Sequence, residues 1–346
     1  MKLAFAVPGR ITTRTGGTLY DLHLIRALEA LGHSVHLLEL GDGWPHPDAG
    51  TMQAAIDRLA ALDHATPVIV DGLAYGAFQT EALAGVKAPM TALVHHPLAL
   101  EAGLPADLAA RMAAREKANL ALARQVLVPS PHTAAVLRAE YGTAADRVTI
   151  ALPGFSLPAP SHTPRATPPL ILSVGILCAR KGHDVLLDAL ARIADLDWQA
   201  AIIGRPHEAA VVAALPRLRA DLGLDDRVRI LGEVPDETLA EHYRSASLFA
   251  LATRYEGYGM VFGEALGHSL PIVSCRGGAV PDTVPAGAGI LVDVDDAAAF
   301  ARALRRILVD DALRHECATA ARAAAEALPS WADTARLVAD RLAAAR

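Results

Sequence analysis

Short apolar runs alternate with helix-periodic segments in two successive series along this chain, and a stretch crowded with proline separates the series. Runs at 3–7, 35–40, 67–70, 90–94 and 125–128 read as strands. Between them, 18–31 carries Leu19, Leu22, Ile25, Leu28 and Leu31 at helical spacing, and 52–62 and the alanine-rich 106–122 read as further helices. Gly32 stops the first of these helices. The second series predicts strands at 170–174, 199–203, 228–231, 248–252 and 271–274, with helices that include 184–193, 297–309 and 314–327. Short strands that are apolar throughout and joined by helices form a parallel sheet covered on both faces. The fold class is therefore α/β, with two doubly wound domains and a ligand expected in the cleft between them, at the carboxyl ends of the strands.

Pro153, Pro158, Pro160, Pro164, Pro168 and Pro169 fall within 152–169, a composition that forms neither helix nor central strand. This places a first domain at 1–155, a linker and hinge at 156–169, and a second domain at 170–329. With 346 residues and 52% apolar content, the chain has material for two cores. A formal net charge of -6 argues against a polyanion-binding surface, so no nucleic-acid partner is expected. Cys178, Cys275 and Cys317 are odd in number and widely spaced, which suits a reducing cytoplasm better than a disulfide framework.

The apolar run 3–7 is too short for a signal peptide and is interrupted by Pro8-Gly9-Arg10. No run approaches the roughly 18 residues of a spanning helix. A soluble cytoplasmic protein is expected, with at most weak peripheral membrane contact. The segment 104–124 brings Arg111, Arg115, Lys117 and Arg124, but Asp107, Glu116 and the many alanines make it read better as a solvated face.

The segment Arg254-Tyr-Glu-Gly-Tyr-Gly-Met-Val-Phe-Gly-Glu264 follows an apolar strand and opens a helix. Gly257 and Gly259 allow the backbone to turn tightly and to approach a ligand. A helix starting near Met260 offers free N–H groups and a positive dipole end to phosphate oxygens. Glu256 and Glu264 bracket the loop, and carboxylates accept hydrogen bonds from hydroxyls. A diphosphate lying between two polyhydroxylated rings would satisfy both features; an ordinary glycine-rich loop with a solvated Glu pair is the alternative.

Glu256 to Glu264 is the E-x7-E pattern of the retaining GT-B glycosyltransferases, and the surrounding text resembles family 4. Glu264-Ala-Leu-Gly-His-Ser-Leu-Pro-Ile-Val273 resembles that family's "EALASGLPVV", and Gly277-Gly278-Ala279-Val280-Pro281-Asp282 its "GGIPE" loop. Ile230-Leu-Gly-Glu-Val-Pro235, with Val234, is similar to the segment whose backbone holds the nucleotide base. Gly16-Gly17 resembles the glycine pair whose amides meet the donor phosphate. The resemblance implies a GT-B fold of two Rossmann-like domains facing a central cleft. The first would take the acceptor and the second the nucleotide sugar, and a last helix at about 330–346, with Trp331, would cross back to the first. It further implies that Glu264 binds the ribose hydroxyls and Glu256 those of the donor sugar. Gly257, Tyr258, Gly259, Met260 and Val261 would lie along the phosphates or sugar, and Lys181 would neutralise the departing diphosphate.

One departure stands out. Many relatives carry Val-Gly-Arg-Leu, whose arginine grips the diphosphate, where this chain has Val174-Gly175-Ile176-Leu177; Arg180 is the expected stand-in. His95 takes the place of a histidine close to donor sugar and acceptor, and His96 that of a residue often acidic. Acceptor contacts are expected around Arg14, Tyr75 and His96. A histidine pair also suggests metal, but the sequence shows no third ligand at suitable spacing. Asp293-Val-Asp-Asp296 reads as a helix N-cap rather than a donor-metal motif. Neither metal nor cofactor is expected, the nucleotide sugar being a substrate.

The expected activity is metal-independent, retaining transfer of a hexose-type sugar from a nucleotide diphosphate to a hydroxyl acceptor, with UDP favoured and GDP the alternative base carrier. No obvious carboxylate nucleophile faces the opposite side of the sugar, which favours a front-face reaction. The rivals are a non-catalytic nucleotide-sugar-binding protein and a GT-B-like sugar-nucleotide epimerase. A dinucleotide oxidoreductase would need Gly-x-Gly-x-x-Gly after the first strand, where Val7-Pro-Gly-Arg-Ile-Thr-Thr-Arg14 stands instead.

Overall fold

The computed structural model describes residues 1–13, 15–159 and 163–344. The chain divides into two compact units, Met1–Gly154 with Pro329–Arg346, and Phe155–Leu328.

The first unit is built on a six-stranded sheet: β1 (Lys2–Val7), β2 (Ser34–Glu39), β3 (Val68–Asp71), β4 (Met90–Leu93), β5 (Gln125–Val128) and β6 (Val148–Ile150). Their order is β2-β1-β3-β4-β5-β6, with every pairing parallel. The central strands are apolar and buried on both faces, as a parallel sheet between helices requires. The helix Gly16–Ala30 starts ahead of its first predicted residue because Thr15 and Thr18 cap it reciprocally, side chain to backbone. Its buried Leu24 and Leu28 each contribute about 1.5–3 kcal/mol of hydrophobic stabilisation. The last helix, Trp331–Ala344, packs on this one. Trp331 stacks on His23 and meets Tyr20 edge-on, while Thr334 donates to the Leu152 carbonyl at 2.8 Å.

The second unit has its own six-stranded parallel sheet: β7 (Leu170–Val174), β8 (Gln199–Ile203), β9 (Val228–Gly232), β10 (Leu248–Leu251), β11 (Ile272–Cys275) and β12 (Gly289–Val292). The order β12-β11-β10-β7-β8-β9 is the doubly wound one, in which the chain runs outward to one edge and then, from β10, to the other. The reversal lies between β7 and β10, so the loops leaving those two strands flank the crevice where such sheets bind ligands.

From Phe155 onward, the described part of the proline-rich segment belongs to the second unit. The Phe155 ring abuts Gly267, where any side chain would clash with it. Arg165 donates to the carbonyls of Tyr243, Arg244, Ala246 and His268 and so ties the segment to two helix ends. Pro160 lies outside the described residues. No described helix is long and apolar enough to cross a membrane.

Candidate functional site

In the second unit, the loops after β7 and β10 meet over one buried carboxylate. Lys181 Nζ lies 2.6 Å from Glu256 Oε1, and Thr253 Oγ1 donates to the same oxygen at 2.9 Å. Arg180 Nη1 lies 3.5 Å from Glu256 Oε2 and donates to the Tyr255 carbonyl at 2.9 Å. Glycines let these loops close. A Cβ on Gly175 would sit 3.1 Å from Lys181 Cδ, so the missing side chain makes room for the lysine stem. Gly182, at φ +62°, brings its loop against the Ala252 carbonyl, and Gly278, at φ +60°, lies on the Glu256 backbone; a Cβ at either would overlap. Burial pushes the Glu256 carboxyl up, but the charges of Lys181 and then Arg180, with hydrogen bonds from Lys181 and Thr253, outweigh it, and the group is held below the usual carboxylate range.

The helix Met260–Gly267 begins three residues after Gly257, as the sequence pattern expects. Gly259 is left-handed at φ +85°, and a Cβ there would come within 2.6 Å of Phe262 Cδ2. The first-turn N–H groups at Met260 and Val261 have no helical carbonyl to bond. Glu264, one turn inside, accepts from Tyr243 Oη at 2.7 Å. Burial raises its carboxyl, with the Tyr243 bond opposing and Asp236 adding to the rise. Val234 follows the end of β9 and is half-buried against the sheet.

Ile176 carries no charge, whereas Arg180 and Lys181 reach the same carboxylate from one loop. The structure thus brings together Arg180, Lys181 and Glu256, with Glu264 on the adjoining helix. Asp296, as read from the sequence, caps the helix Ala297–Val309.

In the first unit the structure adds residues that the sequence did not reveal. His95, just after β4, has its Nε2 3.1 Å from Asp21 Oδ1 and 3.3 Å from Asp71 Oδ2. Asp21 comes from the helix after β1, and Asp71 ends β3 and caps the next turn by accepting from the Leu73 N–H. Gly72 permits this convergence, since a Cβ there would press on Leu93 and Val94 at the end of β4. Gly17 lies against the His95 ring, 3.1 Å from Cδ2 for a notional Cβ, while nothing crowds Gly16. Burial alone would lower the His95 pKa; Asp21 and then Asp71 outweigh it and push it up to about 10. Asp21 is raised to about 8 by burial and by the neighbouring Asp71. Asp71, despite burial, is held low by its bonds to His95. The sequence offered His95 no third ligand by spacing. The fold supplies two carboxylates, and the ligand atoms of Asp21, Asp71 and His95 all lie within 4.8 Å of one another, so these residues could hold a divalent ion.

The acceptor residues fare differently. Tyr75 is fully buried: the turn Gly72–Tyr75 sends its ring into the core, where its hydroxyl donates to the Asn119 carbonyl at 3.0 Å. The expectation that Tyr75 meets an acceptor is therefore corrected. His96 is half-buried, with Nε2 3.2 Å from Glu101 Oε2. Arg14 lies outside the described residues.

Residues 159–324 match the family model described as glycosyl transferases group 1. A D-inositol 3-phosphate glycosyltransferase 1 of Catenulispora acidiphila is 34% identical over 218 residues, which are 58% of this chain and 52% of that protein. The match thus spans about half the length of the curated relative. Among solved structures, a sucrose-phosphate synthase of Thermosynechococcus elongatus superposes with a TM-score of 0.83 at 23% identity, covering 99% of this chain and 100% of that one. An Anabaena protein crystallised with UDP-glucose superposes with a TM-score of 0.76 at 17% identity, over 99% and 100% of the two chains. At these identities the structural likeness establishes the fold, which is GT-B.

Proposed function

Because residues 159–324 match the glycosyl transferases group 1 family, we propose that the chain is a retaining glycosyltransferase working from a nucleotide-diphosphate sugar. The observation that carries this reading is the meeting of Lys181 and Arg180 on Glu256 beside the start of the helix Met260–Gly267.

Each part matches one part of such a donor. The N–H groups at Gly259, Met260 and Val261 and the two cations of the adjoining loop suit the diphosphate. Glu264 suits the ribose hydroxyls. Glu256 stays ionised, and its Oε1 is taken by Lys181 and Thr253; Oε2, with Arg180 only at 3.5 Å, keeps lone-pair capacity for a sugar hydroxyl. Val234, just after β9, suits the nucleotide base.

The chemistry then follows from charge. The bond from the anomeric carbon to the diphosphate oxygen breaks with its electron pair leaving on phosphate, where Lys181 and Arg180 stabilise it. The acceptor oxygen bonds to the same face of that carbon, and its proton passes to the leaving phosphate oxygen. Configuration is retained without a covalent enzyme intermediate. No metal is needed for this neutralisation. His95, held cationic by Asp21 and Asp71, is suited to donating a hydrogen bond rather than to acting as a base.

A UDP-sugar is the favoured donor, supported by the UDP-glucose in the Anabaena structure. The names of the matched proteins, an inositol 3-phosphate transferase and a sucrose-phosphate synthase, make phosphorylated polyols and sugars the first acceptors to screen. Proton NMR of a UDP-sugar incubated with such acceptors tests the proposal. The expected product keeps the donor's α configuration. A β product, or conversion of donor without acceptor, contradicts it, and donor binding with no transfer to any acceptor reduces the protein to a nucleotide-sugar binder.

A further inference from the structure

Tyr243 sits in the helix Asp236–Ser245, and only 3% of it is exposed. Its ring stacks near-parallel to two others, Phe249 at 6.2 Å and His268 at 5.2 Å, with interplanar angles of 14° and 8°. These contacts and the ring's burial restrict its plane and therefore the direction of its hydroxyl. Packing would be equally served by phenylalanine. The hydroxyl is nevertheless present, and Glu264 Oε2, at 2.7 Å, is its partner.

A glutamate side chain has three rotatable bonds and samples many rotamers when unpinned. Here Oε2 is anchored to a phenol whose plane is restricted, and the backbone below is fixed by the buried Phe262 and Ala265. Among the described residues, no hydrogen bond occupies Glu264 Oε1. The carboxylate thus has one oxygen committed to the protein and one presented to a ligand.

We propose that Tyr243 is the positioning residue of the nucleotide-ribose subsite, aiming Glu264 Oε1 at the ribose hydroxyls. This rests on the reading of Glu264 as the ribose acceptor. The bond does a second job. Burial pushes the Glu264 carboxyl up, and the Tyr243 hydroxyl opposes that rise, keeping more of the group ionised. An ionised carboxylate accepts from hydroxyls more strongly than a carboxylic acid does.

The test is Tyr243→Phe, which keeps the stacked ring and removes the oxygen. UDP-sugar KM is expected to rise about 5- to 50-fold with most of the effect outside kcat, in line with loss of support to a charge-assisted bond. The acidic limb of the kcat/KM profile is expected to move to higher pH, and discrimination between UDP and its 2′-deoxy and 3′-deoxy analogues to shrink. Glu264→Gln and Glu264→Ala are titrated with UDP alongside. If both bind UDP as the wild type does, the ribose reading of Glu264 fails. If they bind weakly while Tyr243→Phe keeps wild-type affinity, pH limb and ribose discrimination, the positioning role is overturned. A Tyr243→Phe protein that loses thermal stability and weakens all nucleotides equally, with the pH limb unmoved, overturns it as well.

Discussion

Lys181 Nζ lies 2.6 Å from Glu256 Oε1, and both side chains are almost wholly buried. Removing one partner from such a pair leaves an uncompensated buried charge, which typically costs several kcal/mol. Arg180 still faces the carboxylate, so Glu256 is not orphaned when Lys181 is lost. Lys181→Ala is therefore expected to fold, with a lowered melting temperature, and to lose nearly all turnover. Scanning calorimetry and single-turnover rates check the two halves separately.

Arg180 is proposed to replace the arginine that the resemblance expects at Ile176. Arg180→Ala is expected to lower turnover about 10²–10³-fold, the scale of losing one preorganised charge-stabilising donor, with a smaller effect on melting. Adding Ile176→Arg to that variant should recover part of the rate. Near-wild-type turnover in Arg180→Ala would make the residue a bystander.

His95 is expected to stay cationic through the neutral range, its pKa having been pushed up to about 10 by Asp21 and Asp71 against the effect of burial. The sign follows directly. A group raised from 6.5 stabilises the fold fully below that pH, and the contribution fades as pH climbs through about 10. NMR of labelled histidine should show no His95 titration between about pH 6 and 9, and Asp71→Asn should bring the transition down toward that window. A wild-type transition near pH 6.5 would return His95 to the ranks of possible bases.

Glu116 is buried beneath the loop that follows the two histidines, where Oε2 accepts from the Leu98 N–H at 3.0 Å. Burial pushes its carboxyl up to about 8, the Leu98 bond opposing. The folded state therefore holds this proton over a range where the unfolded chain has lost it, and stability falls as pH rises from about 4.5 through 8. Glu116→Gln keeps an acceptor for Leu98 but cannot ionise. Its melting temperature should match the wild type at pH 5 and exceed it by about 2–6 °C at pH 9. Equal pH slopes for the two proteins would contradict the assignment.

Much of this was legible in the sequence, for definable reasons. β5, β7 and β8 have the predicted bounds because apolar four- and five-residue runs between helices have few alternatives. The edge strands β6 and β12 went unseen because they are short and only partly buried. Glu256 and Glu264 were readable because one helix start sets their separation. The gathering of Asp21 and Asp71 around His95 was not, since 74 residues separate Asp21 from His95 and only the strand order unites them. Asp71 did leave a trace, an acid closing an otherwise apolar strand. Tyr75 looked like a loop residue for the same positional reason, yet the turn after β3 points it inward.

Activity is expected to survive EDTA, because Lys181, Arg180 and a helix start serve as the phosphate counter-charges in this account. Complete loss, restored by manganese or magnesium, would contradict it. Failure of that restoration in Asp71→Asn would then place the ion among Asp21, Asp71 and His95, whose ligand atoms lie within 4.8 Å of one another.

The most direct test of the central claim is a calorimetric titration of UDP-glucose into the wild-type protein and into Glu264→Ala. The account expects binding to the wild type and a loss of about 1–3 kcal/mol in the variant, from the hydrogen bonds of a buried carboxylate to ribose. Equal affinity in the two proteins, or no binding of any nucleotide-diphosphate sugar to the wild type, would contradict it.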